Sequence, residues 1–210
     1  MKSFCFVIFT LFGLAFSNIA NAQQSAPWSD EKFDSAWTFQ VDKAGLKFKI
    51  PNGYKKLSMK EANYGKWHCI DQYEAGFMEV LINEDRTVVI GLGISQNSHW
   101  TSPDGKPMST KVNWKQNAKV VFSNRNNADK PNRDIHTDTL AKYWNAIYGK
   151  IFTRKACKQP FIKDFVYHRH VLIADESKQI LMVYFYKDPQ LNIDKVIEST
   201  YHMLAVANQK

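Results

Sequence analysis

Apolar positions along the chain recur at two periods, and the switch between them marks the elements. Phe39 and Val41, then Leu46, Phe48 and Ile50, alternate with polar residues on either side of Lys43-Ala44-Gly45. A period of two around a glycine-containing turn predicts a first β-hairpin, which Pro51-Asn52-Gly53 closes. Residues 77–82 and 87–94, joined by Asn83-Glu84-Asp85-Arg86, predict a second hairpin; residues 164–174 and 179–186, around Asp175-Glu176-Ser177-Lys178, predict a third. Residues 147–152 read as a further strand. Gly91 and Gly93 inside the second hairpin's return strand imply a bulge or the close approach of another element.

Helical spacing appears between these pairs. Ser58 with Glu61 three residues later is a capping-box pattern and predicts a short helix over 58–64. Trp114, Ala118, Val121 and Phe122 fall on one stripe behind Ser109 or Thr110 as cap, and residues 138–145 make another helical stretch. Ile193, Val196, Ile197, Thr200, Tyr201 and Leu204, capped by Asn192, predict a closing helix. Residues 23–30, 99–107 and 123–134 read as a loose leader and two loops. Strands arriving in hairpins with helices between them argue an α+β fold, a mainly antiparallel sheet with packed helices. A doubly wound parallel sheet would need strands that alternate singly with helices.

The first residues belong to targeting rather than to the fold. One positive charge at Lys2 precedes the apolar run from Phe4 to Phe16, and Ala20 and Ala22 supply the small side chains of a cleavage site. This is the pattern of a secretory signal peptide over residues 1–22, with a single domain over 23–210. The run is shorter than the roughly 20 apolar residues that cross a bilayer, and no later stretch reaches that length, so no membrane span is expected in the mature chain. Export places the protein in the periplasm or outside the cell, where disulfides persist. Cys5 leaves with the leader, and the one intramolecular pairing left is Cys69 with Cys157; a free reactive Cys69 beside His68 is the alternative.

Charge is unevenly placed. The chain carries a formal +8, and between Lys43 and Lys66 seven lysines face Glu61 alone. Lys47 and Lys49 alternate with Leu46, Phe48 and Ile50, so they share the solvent side of their strand, and Lys55 and Lys56 follow. Such a strip attracts an anionic partner: a lipid headgroup, an acidic glycan or a carboxylate-bearing protein surface. Lysines on an edge strand also block sheet-to-sheet aggregation, which accounts for them without a ligand. No arginine stands in the segment, so the bidentate fork of a specific phosphate site is missing. Nucleic acid is excluded as a partner by export. Tyr64, Trp67, His99 and Trp100 fall in or beside expected loops, where an aromatic ring stacks on a sugar or anchors a partner, or simply packs in the core.

Catalytic and metal signatures are sparse. His168 and His170 are two residues apart in an expected strand and so share a face, but two ligands do not make a metal site, and no H-x-x-x-H or H-E-x-x-H supplies a third. Gly91-Leu92-Gly93 lacks the third glycine of a dinucleotide loop; neither a G-x-S-x-G elbow, a P-loop nor a calcium loop is present. Asp71 and Glu74 near His68 are charged loop residues with only a general acid–base potential. No cofactor and no metal are called for.

Tyr143-Trp144-Asn145-Ala146, the 164–174 and 179–186 strands with Tyr184-Phe185-Tyr186, and the terminal helix together resemble an uncharacterised family of exported bacterial proteins. The order of hairpins and closing helix is similar to the PsbP-like fold, and that resemblance implies a lumenal or periplasmic accessory or binding protein. It transfers no functional residue. The resulting expectation is an exported, non-catalytic binding or accessory domain at the bacterial cell envelope, taking an anionic or carbohydrate-like ligand or a protein partner. The alternatives are a hydrolase with a histidine-based site (His68, His99 or His170 as base) assembled from distant residues, and a purely structural accessory protein.

Overall fold

The computed structural model of the chain describes residues 29–69, 74–116, 118, 132–154, 157 and 159–206. The expected leader at 1–22, most of the expected 123–134 loop and the Val121–Phe122 end of one expected helix lie outside them. The amino-terminal half runs α1 (Asp30–Lys43), β1 (Leu46–Phe48), β2 (Tyr54–Lys56), β3 (Lys66–His68), β4 (Glu74–Gly76), β5 (Glu79–Asn83) and β6 (Val88–Gln96). It continues through β7 (Ser98–Thr101), β8 (Pro107–Thr110) and β9 (Arg133–Asp134) to α2 (Thr137–Trp144). The chain closes with β10 (Tyr148–Phe152), β11 (Tyr167–Ala174), β12 (Lys178–Tyr186), α3 (Ile193–Ser199) and β13 (Leu204–Val206).

Seven of these strands form one antiparallel sheet in the order β2-β5-β6-β12-β11-β10-β9, and three two-stranded sheets, β1·β13, β3·β4 and β7·β8, accompany it. This is the α+β architecture that the hairpin pattern implies. The expected second and third hairpins are β5–β6 and β11–β12. Both faces of the sheet are covered, which is why the central strands are apolar almost throughout instead of alternating with polar residues. Val88, Ile90, Leu92, Ile94, Val171, Ile173, Met182 and Tyr184 point into a first core that α1, α2 and α3 cover. Val80, Ile82, Val89, Val183 and Phe185 point the other way, into a second core with Trp67, Phe77, Phe161, Phe165 and the two cysteines.

The two expected glycines of β6 sit on that second side, and the reason is close approach. A Cβ on Gly91 would lie 2.7 Å from the Phe77 ring, and one on Gly93 would lie 2.9 Å from the Gly76 carbonyl. Phe77 therefore lies flat on the floor that the glycines leave, edge-on to Phe161 and Phe185 at 5.1 and 5.9 Å.

Four expectations need correction. The first hairpin does not form: residues 39–43 complete α1, and only Leu46–Phe48 is extended. Trp37 and Val41, four apart, are buried on one helical face, whereas Phe39, which supplied the period of two, is 61% exposed. Asp30 and Glu31 in the first turn and Lys43 in the last suit the helix dipole. The 58–64 helix is reduced to turns and a short 3-10 segment at Asn63–Gly65, although Ser58 Oγ accepts from the Glu61 backbone N–H at 3.3 Å and donates to Glu61 Oε2 at 2.8 Å. The closing helix stops at Ser199 because Leu204–Val206 leaves to pair with β1. The expected 99–107 loop is in fact the β7·β8 hairpin.

Candidate functional site

The lysines divide by what they touch. Lys47 in β1, Lys49 just after it and Lys55 in β2 are exposed, and β2 is the outer strand of the seven-stranded sheet. Among the described residues none of these three ammonium groups is in an ion pair. Lys56 differs. Its Nζ lies 2.7 Å from both Asp34 Oδ1 in α1 and Glu79 Oε2 in β5. Glu79 is only 3% exposed, and burial holds its carboxyl above the usual carboxylate range despite the neighbouring ammonium. Burial also opposes the charge on Lys56, but the two carboxylates outweigh it and raise the ammonium's pKa. Lys56 is thus a cation that ties α1 to the sheet.

The aromatics divide in the same way. Tyr64 is half-buried, with a left-handed backbone (φ 52°) that the tight turn before β3 imposes. Trp67 is 2% exposed; its Nε1–H donates to the Gln159 carbonyl at 3.0 Å, so the ring is a core anchor and not a surface platform. His99 and Trp100 lie in β7, on a hairpin whose return strand, Pro107–Thr110, is exposed along its length. His99 is exposed and pairs across the hairpin with Ser109. The fold therefore does not gather the expected binding residues into one place: the free lysines belong to β1 and β2, the histidine to β7, and Trp67 to the interior.

The residues the fold does bring together were read separately in the sequence. Cys69 and Cys157 are joined by a disulfide across 88 residues. Beside it, on the same side of β11, lie His168 and His170, with ring centroids 5.1 Å apart. Trp67 closes over both histidines at 5.1 and 5.6 Å, and Phe152 stacks on His170 at 4.9 Å. One ligand atom each from Cys157, His168 and His170 lie within 4.8 Å of one another. His168 Nε2 is 2.6 Å from the Cys157 carbonyl oxygen. A carbonyl only accepts, so Nε2 carries the proton and Nδ1 is the bare, lone-pair nitrogen. That Nδ1 is buried without a hydrogen-bond partner among the described residues.

Burial, which disfavours the charged imidazolium, pushes His168 down to about 4. The same cause takes His170 well below its ordinary value, and the charges of Arg154 and Arg169 act in the same direction. Both rings are neutral at physiological pH.

No protein-family model and no curated protein matches the chain. A solution structure of cyanobacterial PsbP from Synechocystis sp. PCC 6803 aligns at a TM-score of 0.40 and 10% identity, over 78% of this chain and 88% of that one. A superposition that loose carries no argument about activity.

Chemically, imidazoles that burial holds neutral and that Trp67 and Phe152 close over are poorly arranged as general bases. The histidine–carboxylate contact near the expected acid–base loop is His68 Nδ1 to Glu74 Oε1 at 3.1 Å, and both residues are exposed. A lone pair in a buried setting beside two sulfurs, here joined in the bridge, is better suited to binding a soft ion once those sulfurs are reduced. Cys157 is the residue that the sequence reading missed in this role: the spacing of His168 and His170 put two nitrogens on one face, but the third donor comes from a different segment.

Proposed function

We propose that the chain is an exported, non-catalytic binding or accessory domain of the cell envelope that engages an anionic surface through Lys47, Lys49 and Lys55. The observation that carries this reading is the contrast among the lysines. Where a lysine is structural, as at Lys56, the fold supplies carboxylates for it; along β1 and β2 the other three stand exposed with no such partner among the described residues. Uncompensated like charges repel, and an anionic face opposite them removes that cost. The disulfide supports an oxidising compartment, and no helix among the described residues is long and apolar enough to cross a membrane. Exposed lysines attract headgroup or glycan carboxylates and phosphates as point charges, so the binding is electrostatic and sensitive to salt.

The test is titration of the purified protein against vesicles of neutral lipid with and without an added anionic lipid, and against an acidic polysaccharide, at low and high salt. Binding that weakens as salt rises, and that the triple substitution K47E/K49E/K55E abolishes, is the expected result. Retained binding in that variant, or none to any anionic surface at low salt, removes the reading.

A further inference from the structure

We infer that Cys69, Cys157, His168 and His170 form a latent Cys2His2 site for a borderline-soft divalent cation of the Zn2+ type, which the disulfide and the metal occupy as alternatives. In the oxidised chain both sulfurs are committed to each other. A dithiol reductant converts the bridge into two thiols and is itself oxidised to its own disulfide. Metal binding then displaces one proton from each thiol, and both nitrogens enter as neutral donors. Four donors of two soft and two intermediate ligands are the set that structural zinc sites use.

Three features of the oxidised structure carry this. First, three of the donors are already close: Cys157, His168 and His170 offer atoms within 4.8 Å of one another, and Cys69 Sγ is bonded to Cys157 Sγ. A tetrahedral zinc site places its donors roughly 3.5 Å apart, so filling the site draws the histidine nitrogens toward Cys157 and lets the two sulfurs separate, movements that breaking the S–S bond releases. Second, His168 is already set up as a metal-bound histidine is, with one ring N–H donating to a backbone carbonyl and the other nitrogen bare. Third, the surroundings are dry and aromatic, with Trp67 and Phe152 against the rings. Zn2+ with two thiolates has no net charge, so a filled site does not repel the charge of nearby Arg154, whereas the two histidines alone would leave a bare dication beside it.

The experiment adds Co2+, a spectroscopic stand-in for Zn2+, to the protein in its oxidised form and after reduction by a phosphine, followed by Zn2+ competition and by near-ultraviolet circular dichroism. The expected result is thiolate-to-cobalt charge transfer and tetrahedral d–d absorption in the reduced protein alone, bleached by Zn2+. If the reduced chain loses its tertiary signal, Zn2+ is expected to restore it, because metal affinity and folding are then one equilibrium. H170L, checked for folding in the oxidised state, is expected to weaken Co2+ binding by at least about tenfold, and H168L/H170L to abolish the tetrahedral spectrum. Equal cobalt spectra in oxidised and reduced protein, a reduced chain that Zn2+ neither binds nor refolds, or thiolate–cobalt bands that survive in the double variant each overturn the inference. None of these readouts involves the lysine surface, so the two proposals fail separately.

Discussion

At the level of single residues, the least ordinary ion pair is Lys56 with Glu79. A carboxylate removed from water costs several kcal/mol unless a partner compensates it, and the raised pKa of Glu79 shows that Lys56 compensates it only in part. Removing each partner therefore has unequal effects. K56M strands the buried charge and is expected to cost about 2 kcal/mol at neutral pH, below the ~3–5 kcal/mol of a fully buried broken pair, because Lys56 is 39% exposed and water reaches one side of it. E79Q leaves Lys56 on Asp34 and is expected to cost less than about 1 kcal/mol. The sign with pH follows from the direction of the shift: a carboxyl whose folded pKa lies above its unfolded value gains stability as pH falls through that folded pKa. Urea titrations at neutral and mildly acidic pH should show the K56M deficit narrowing on acidification, while that of E79Q, which lacks the titrating group, widens slightly as the wild type gains stability; a K56M deficit that widens would contradict this account. Among single residues the sequence disclosed that Lys47 and Lys49 share an exposed side and that His168 and His170 share a face. It could not disclose that Lys56 is committed to a buried glutamate or that Cys157 meets the histidines, since both depend on segments brought together only by the sheet.

Among elements, the hairpins were legible and the joins between sheets were not. β5–β6 and β11–β12 are long, locally paired and bounded by Asn, Asp and Ser turns, so period and turn chemistry agree. α1 was misread because Phe39 and Val41 mimic a period of two in a short window; Trp37 with Val41, at a spacing of four, is what the core uses. β13 was misread because Leu204 continues the helical stripe of α3 until β1 claims it, a partner about 160 residues away in sequence. The glycines give a graded test of close packing at this scale. At Gly65 a Cβ would sit 2.0 Å from the Phe77 carbonyl oxygen, with φ +71° besides, so backbone must move. At Gly91 the obstacle is the Phe77 side chain at 2.7 Å, which has more freedom to yield. G91A is expected to cost roughly 1–3 kcal/mol as an overpacking change, G65A to cost more, and F77L to recover part of the loss in G91A but little in G65A. Thermal unfolding of the four variants reads this order directly, and equal losses at the two glycines would refute it.

At the scale of the whole molecule, one covalent bond links the residue after β3 to the segment between β10 and β11. Reduction frees a closed loop spanning 88 residues, for which loss of the chain-entropy constraint amounts to about 4–5 kcal/mol. That is comparable with the ~5–15 kcal/mol net stability of an ordinary domain, so reduction is expected to lower the urea midpoint severely without a matching loss of sheet contacts, since no strand pairing passes through either sulfur. The sulfurs lie in the second core, with Trp67, Phe161, Phe165 and Phe185, so the loosening should begin there. The Trp67 indole resonance, assigned among the six tryptophans by substitution, and hydrogen exchange of β11 and β12 amides distinguish the sequence of events: the reduced protein should lose the Trp67 environment at lower denaturant than it loses protection in those central strands. Coincident loss of both signals, with the midpoint unchanged from the oxidised protein, would mean that the bridge merely decorates a core that is already sufficient, and the 88-residue constraint would have to be abandoned as a source of stability.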